Sequence, residues 1–162
     1  MKVRQASPDD LPQLVALFEE LERMQRDWRV FTPRPGFYDE VAKRFREAMQ
    51  ADDRVLVVAE DDGEVVGMAY SEVRVPSRFS DEQALEVSGL VVRSGHRGRG
   101  VGRALVQELA RFAKERGVDW IELKSFWPNR TSMAFWEALG FHPRVVQLVA
   151  PTEEALRRSG DE

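Results

Sequence analysis

The stretch from Leu85 to Ser125 restricts the fold more than any other part of the chain. Leu85 to Val92 reads as a strand with Gly89 inside it, and a glycine-rich turn follows from Gly95 to Gly102. Val101, Leu105, Leu109 and Phe112 then recur at helical spacing until Gly117 stops the run, and Trp120 to Ser125 reads as a further strand. Strand, short turn, helix and strand within about 40 residues form a right-handed crossover, which makes the two strands parallel. A glycine within a strand marks a bulge or the close approach of another backbone or a ligand, which singles out Gly89.

The turn itself has a chemistry. In Arg97-Gly98-Arg99-Gly100-Val101-Gly102-Arg103, backbone N–H groups and the dipole of the following helix converge on one place. Cations at a helix N-terminus oppose its dipole, so a bound anion is their natural complement. Two familiar phosphate-binding patterns fail. A dinucleotide fingerprint begun at Gly98 needs glycine where Arg103 stands, and a P-loop begun at Gly95 needs lysine where Val101 stands. What remains is R-x-x-G-x-G at Arg97, Gly100 and Gly102.

The rest of the chain reads as a small α/β domain. Lys2 to Gln5 is a short strand, and Ser7-Pro8-Asp9-Asp10 starts a helix that carries Leu11, Leu14, Val15, Phe18 and Leu21 to about Met24. Trp28 to Pro35 is an aromatic, arginine-bearing loop, and a second helix over about Gly36 to Gln50 presents Phe37, Val41, Phe45 and Met49. Val55 to Glu60 and Val65 to Val73 pair as a hairpin through Asp61-Asp62-Gly63-Glu64, and Pro76 to Glu82 is a polar connection. A short helix spans about Thr131 to Leu139, Arg144 to Ala150 is a last strand, and Pro151 to Glu162 is a polar tail that frays. One domain over residues 1–150 with a tail over 151–162 is therefore expected.

Composition removes several functions. The chain has no cysteine and two distant histidines, which leaves no zinc pattern, no disulfide and no cysteine nucleophile. A formal charge of −4 argues against wrapping nucleic acid, and no arginine of the turn has an aromatic interleaved with it. Without an apolar run of spanning length or a signal-peptide core, a cytoplasmic protein away from membranes is expected.

Leu90-Val91-Val92, then R-x-x-G-x-G, then an amphipathic helix, resembles the GNAT superfamily of acyl-CoA-dependent N-acetyltransferases. Asn129 to Phe141, with Gly140-Phe141 closing it, is similar to that family's asparagine, helix, aromatic and Gly-Phe segment. The resemblance implies a mixed, mostly antiparallel sheet with helices on both faces and a V-shaped splay between two parallel strands. It implies acetyl-CoA as cofactor, its pantetheine bonded by Leu90, Val91 and Val92 and its pyrophosphate held by Arg97, Gly98, Arg99, Gly100, Val101, Gly102 and Arg103. Asn129, Ser132, Phe135 and Trp136 complete the cofactor set, no metal is needed, and a homodimer is compatible with the family.

The implied reaction is direct acetyl transfer in a ternary complex to a primary amine of a small molecule or a protein. Glu86 is the candidate for deprotonating the amine and Glu72 is the reserve, with a backbone N–H near Leu90 or Val91 as donor to the thioester oxygen. Trp136 stands where the family often carries a tyrosine acid, and an indole cannot protonate a thiolate. A non-catalytic acyl-CoA sensor is the alternative that this change raises. Simpler roles stand beside these: Asn129 as a helix cap, Glu86 as a paired strand carboxylate, Phe135 and Trp136 as core, and the loop at Trp28 and Phe31 as half core or acceptor wall.

Overall fold

A computed structural model describes residues 1–26, 33–75, 81–146 and 148–160. Trp28, Arg29 and Phe31, and most of the connection from Pro76 to Glu82, lie outside the described residues. The chain divides into two compact units, Met1–Pro128 and Asn129–Glu162.

The first unit is built on five strands in sequence order: β1 (Lys2–Gln5), β2 (Arg54–Asp61), β3 (Glu64–Arg74), β4 (Ala84–Val92) and β5 (Trp120–Leu123). The first four pair antiparallel and β4 pairs parallel with β5, as the crossover requires. Asp62 and Gly63 join β2 to β3 with φ values of 50° and 80°. That left-handed pair is the hairpin turn whose twist matches the strands. The expected mixed sheet, antiparallel except at one parallel pair, is thus the observed one.

Helices cover both faces. Ser7 leads into a 3-10 turn, Pro8–Asp10, before α1 (Leu11–Gln25), and the Asp10 carboxylate accepts from the Ser7 N–H at 2.7 Å. Arg4 of β1 grips the same carboxylate through two nitrogens at 2.7 and 2.9 Å and bonds Glu60 of β2, so one guanidinium ties strand, strand and helix entry together. With α2 (Phe37–Ala48), α1 packs Leu14, Leu17, Val41 and Phe45 onto Leu56, Val58, Met68, Tyr70 and Val91. On the other face lies α3 (Val101–Glu115), whose Val101 and Leu105 sit so close to Gly67 that a Cβ there would be 3.1 and 3.3 Å from them. Gly67 is therefore what lets α3 lie flat on the sheet.

The second unit holds α4 (Arg130–Glu137) and α5 (Thr152–Ser159). Two expectations fail here. None of the described residues between Arg144 and Ala150 is a strand: Val145, Val146, Leu148 and Val149 stand exposed without a pairing partner. A β-propensity run becomes a strand only where a partner supplies its ladder bonds, which local sequence does not specify. Thr152–Ser159 of the tail is helical instead of frayed, because Glu153 and Glu154 favour the positive end of α5, Arg157 and Arg158 the negative end, and Glu154 bonds both arginines.

Candidate functional site

Two structural features meet at the end of β4. Its pairing with β5 runs only from Ala84 to Val87, opposite Trp120 to Leu123. Beyond that point β4 continues to Val92, so the edge from Ser88 to Val92 carries no β5 ladder among the described residues. Unpaired backbone groups along a strand edge bond any extended ligand laid beside them. On its other side, β4 pairs Tyr70 with Gly89 and then Ser71 with Val87, which leaves Ser88 as the extra residue of a bulge. The bulge that Gly89 signalled is present one residue before it. Leu90 and Val91, the expected neighbours of an oxyanion donor, sit in register with Ala69 and Met68.

The strand ends in the glycine turn. Ser94–His96 is a 3-10 turn, Gly98 and Gly100 are left-handed with φ of 73° and 82°, and Gly100 caps α3. L side chains are strained at such φ values, and nothing lies within 4 Å of where either Cβ would be. The first N–H groups of α3 have no intrahelical acceptor, so the turn presents bare donors below open space. Arg99 and Arg103 are exposed and form no ion pair among the described residues. Arg97 behaves differently: its Nε donates to the Val92 carbonyl at 2.9 Å, and its Nη2 lies 3.4 Å from Glu20 Oε1 and 3.0 Å from Met24 Sδ on α1. An open groove lined by Ala16, Glu20, Arg23, Met24 and Arg93 runs beside it.

The carboxylates expected to act on an amine lie lower on the same strand. Glu86 stands opposite Glu72 of β3 in the register, and the Arg74 guanidinium reaches both, 3.5 Å from Glu86 and in direct bond with Glu72. Above Glu72, Tyr70 packs edge-on against Phe45 at 5.8 Å and its hydroxyl is buried with no hydrogen-bond partner. Burial pushes that phenol up from its ordinary range, and Glu72 adds to the rise. Sequence reasoning passed over Tyr70, although strand alternation already placed it on the face of Glu72.

At the base of the loop between α1 and α2, Glu22 is buried and accepts from Arg26 at 3.1 and 2.7 Å and from Tyr38 at 2.9 Å. Arg26 in the first place holds the Glu22 carboxyl below the usual carboxylate range, against its burial.

In the second unit Asn129 acts as the helix cap, its Oδ1 accepting from Ser132 N at 3.0 Å. Trp136 is buried edge-on between Phe135 and Phe141, each ring centre 5.0 Å away. The structural roles foreseen for Asn129 and Trp136 are therefore both observed.

Known proteins agree with this geometry. The model of the acetyltransferase (GNAT) family matches residues 18–141. An uncharacterized N-acetyltransferase of Archaeoglobus fulgidus is 30% identical over 132 residues, which cover 82% of this chain and 84% of that protein. Streptothricin acetyltransferase of Streptomyces lavendulae is 33% identical over 97 residues, 59% of this chain but only 48% of its own length. Among solved structures, a mutant protein of Bacillus halodurans superposes with a TM-score of 0.82 at 21% identity, covering 93% of this chain and 99% of its own. An aminoglycoside N-acetyltransferase in complex with CoA superposes at 0.71, also at 21% identity, over 93% and 99% of the two chains. Those two likenesses concern the fold.

Proposed function

This chain belongs to the GNAT family and is an acetyltransferase acting on amines, and from that premise we propose how its residues divide the work. The donor is acetyl-CoA, an acyl-CoA thioester that supplies the activated acetyl group. The observation that carries this reading is the edge of β4 from Ser88 to Val92, which carries no β5 ladder among the described residues and runs directly into a left-handed glycine turn at the start of α3. An edge bonds the amides of a pantetheine arm and the turn takes a pyrophosphate, so strand and helix together match an acyl-CoA and not an isolated phosphate. Arg97, Arg99 and Arg103 supply the charge, and Gly98, Gly100, Val101 and Gly102 the N–H groups.

The acceptor is a primary amine of a small molecule, as the names of the streptothricin and aminoglycoside relatives suggest. An amine with a pKa near 10 must lose a proton before it attacks, at a cost of roughly 4 kcal/mol at neutral pH. In this reading Glu86 receives that proton, directly or through water, supported by its position on β4 three residues before Gly89. The amine nitrogen then bonds the acetyl carbon and gives up a second proton to water, the carbon–sulfur bond breaks, and CoA leaves as thiolate. A thiol pKa near 8.5 makes that departure cost only about 2 kcal/mol at neutral pH, so no side-chain acid is required. Buried Trp136 then serves packing. The enzyme works in the cytoplasm, and pairing into a homodimer is compatible with its exposed Val145, Val146, Leu148 and Val149.

Mixing the purified protein with acetyl-CoA and an amine panel, with free CoA titrated by a thiol reagent, tests the reading. Amine-dependent release of CoA supports it. Tight acetyl-CoA binding without release in any mixture would identify a sensor.

A further inference from the structure

The lower half of the sheet carries a charged row that the reaction alone does not need. Alternation along β3 places Tyr70, Glu72 and Arg74 on one face, the face that α1 and α2 cover at Met68 and Tyr70. The register extends that level across four strands: Arg54 opposite Glu72, Glu72 opposite Glu86, and Glu86 opposite Glu122 of β5. Three carboxylates thus stand on neighbouring strands about 4.8 Å apart, an arrangement in which like charges repel.

Their compensation is incomplete. One guanidinium, Arg74, is shared by Glu72 and Glu86, and it is half exposed. Arg54 lies 3.8 Å from Glu72 but equally far from Asp53 and Glu47, so its charge is divided. Glu122 has no ion pair among the described residues. Nor do the three converge on a point, for no group of acidic or histidine side chains among the described residues could hold a metal ion. The row suits cations strung along a ligand, not a single ion.

The Tyr70 hydroxyl points independently to an occupant. Tyr70 is 3% exposed, its hydroxyl has no partner, and Glu72 acts on it more strongly than any other charged group. A buried hydroxyl without a partner is unfavourable unless something arrives to bond it.

We propose that Glu72, Glu86 and Glu122, with the Tyr70 hydroxyl beside them, form an acceptor subsite that selects small molecules bearing two or more amines about one strand spacing apart. The inference rests on the acetyl transfer proposed above and names its substrate class. The Arg74 side chain now fills the position of one ammonium between Glu72 and Glu86 and swings outward when the ligand enters. One amine meets Glu86, gives up its proton and reacts. The others stay protonated against Glu72 and Glu122 through charge-assisted hydrogen bonds, and the Tyr70 oxygen accepts from one of them.

The test compares butylamine, 1,4-diaminobutane and spermidine, in turnover with acetyl-CoA and in calorimetric titration of the CoA-loaded protein. Binding and kcat/KM are expected to rise about tenfold with each added amine, the equivalent of one charge-assisted contact. Glu122→Gln should lower spermidine binding about tenfold more than butylamine binding, while Glu115→Gln on the exposed end of α3 should change neither ratio. Equal binding of all three amines, or an equal loss for all three in Glu122→Gln, would overturn the subsite. Spermidine binding that Glu122→Gln weakens, without turnover of any amine, would keep the subsite and overturn the acetyl transfer.

Discussion

At the scale of single residues, the proposed cofactor site depends most on Gly100. Its φ of 82° admits glycine at little cost, and the space above it is open. Gly100→Val should therefore weaken acetyl-CoA binding at least tenfold; the strained φ also lowers stability by about 1–3 kcal/mol, while the circular-dichroism spectrum of the folded protein is retained because the turn is exposed. Unaltered affinity in a titration would remove the turn from the site. Glu86 is read through pH. Glu86→Gln should slow turnover at neutral pH and recover as pH rises, because free amine then becomes abundant without help. A loss independent of pH would leave Glu86 as Arg74's ion-pair partner and pass the role to Glu72. The glycine turn from Arg97 to Arg103 and the bulge beside Gly89 were legible in the sequence because both depend on local spacing. Tyr70 and Glu122 were not, since a missing hydrogen bond and a row across strands exist only once the register is set.

At the scale of elements, helix and strand limits followed from short-range signals: the Asp-Gly hairpin, the glycine ends and the period of the apolar residues. The segment from Arg144 to Ala150 misled because its apolar run is the same whether or not a partner strand lies beside it. Packing of α3 on the sheet yields a prediction of its own. Gly67→Ala should push against Val101 and Leu105 and destabilise the protein by about 1–2 kcal/mol in urea unfolding, with some loss of cofactor affinity because α3 carries the turn. The entry of α1 yields another. Arg4 holds Asp10 down to about 2, below its ordinary 3.8, so the folded carboxylate is the more acidic form. The stability this contributes, about 1–2 kcal/mol, is present above pH 4 and disappears as pH falls through about 2. Asp10→Asn should flatten that part of the acid-stability profile, and an unchanged profile would show the Arg4 contact to be inert.

For the whole molecule, the fold was readable because one crossover fixes the parallel pair and one hairpin fixes the antiparallel remainder. That the pairing of β4 with β5 ends at Val87 was not readable from composition or periodicity, and in the proposed function it is this separation that opens the strand edge to an acyl-CoA. None of the described helices is long and apolar enough to cross a membrane. The central claim is that acetyl-CoA lies along the free edge of β4 and ends on the turn before α3. Amide hydrogen exchange with and without CoA tests it most directly. Slowed exchange confined mainly to Ser88 through Arg103 is the predicted result, whereas bound CoA that leaves those amides unchanged and protects another region would contradict it.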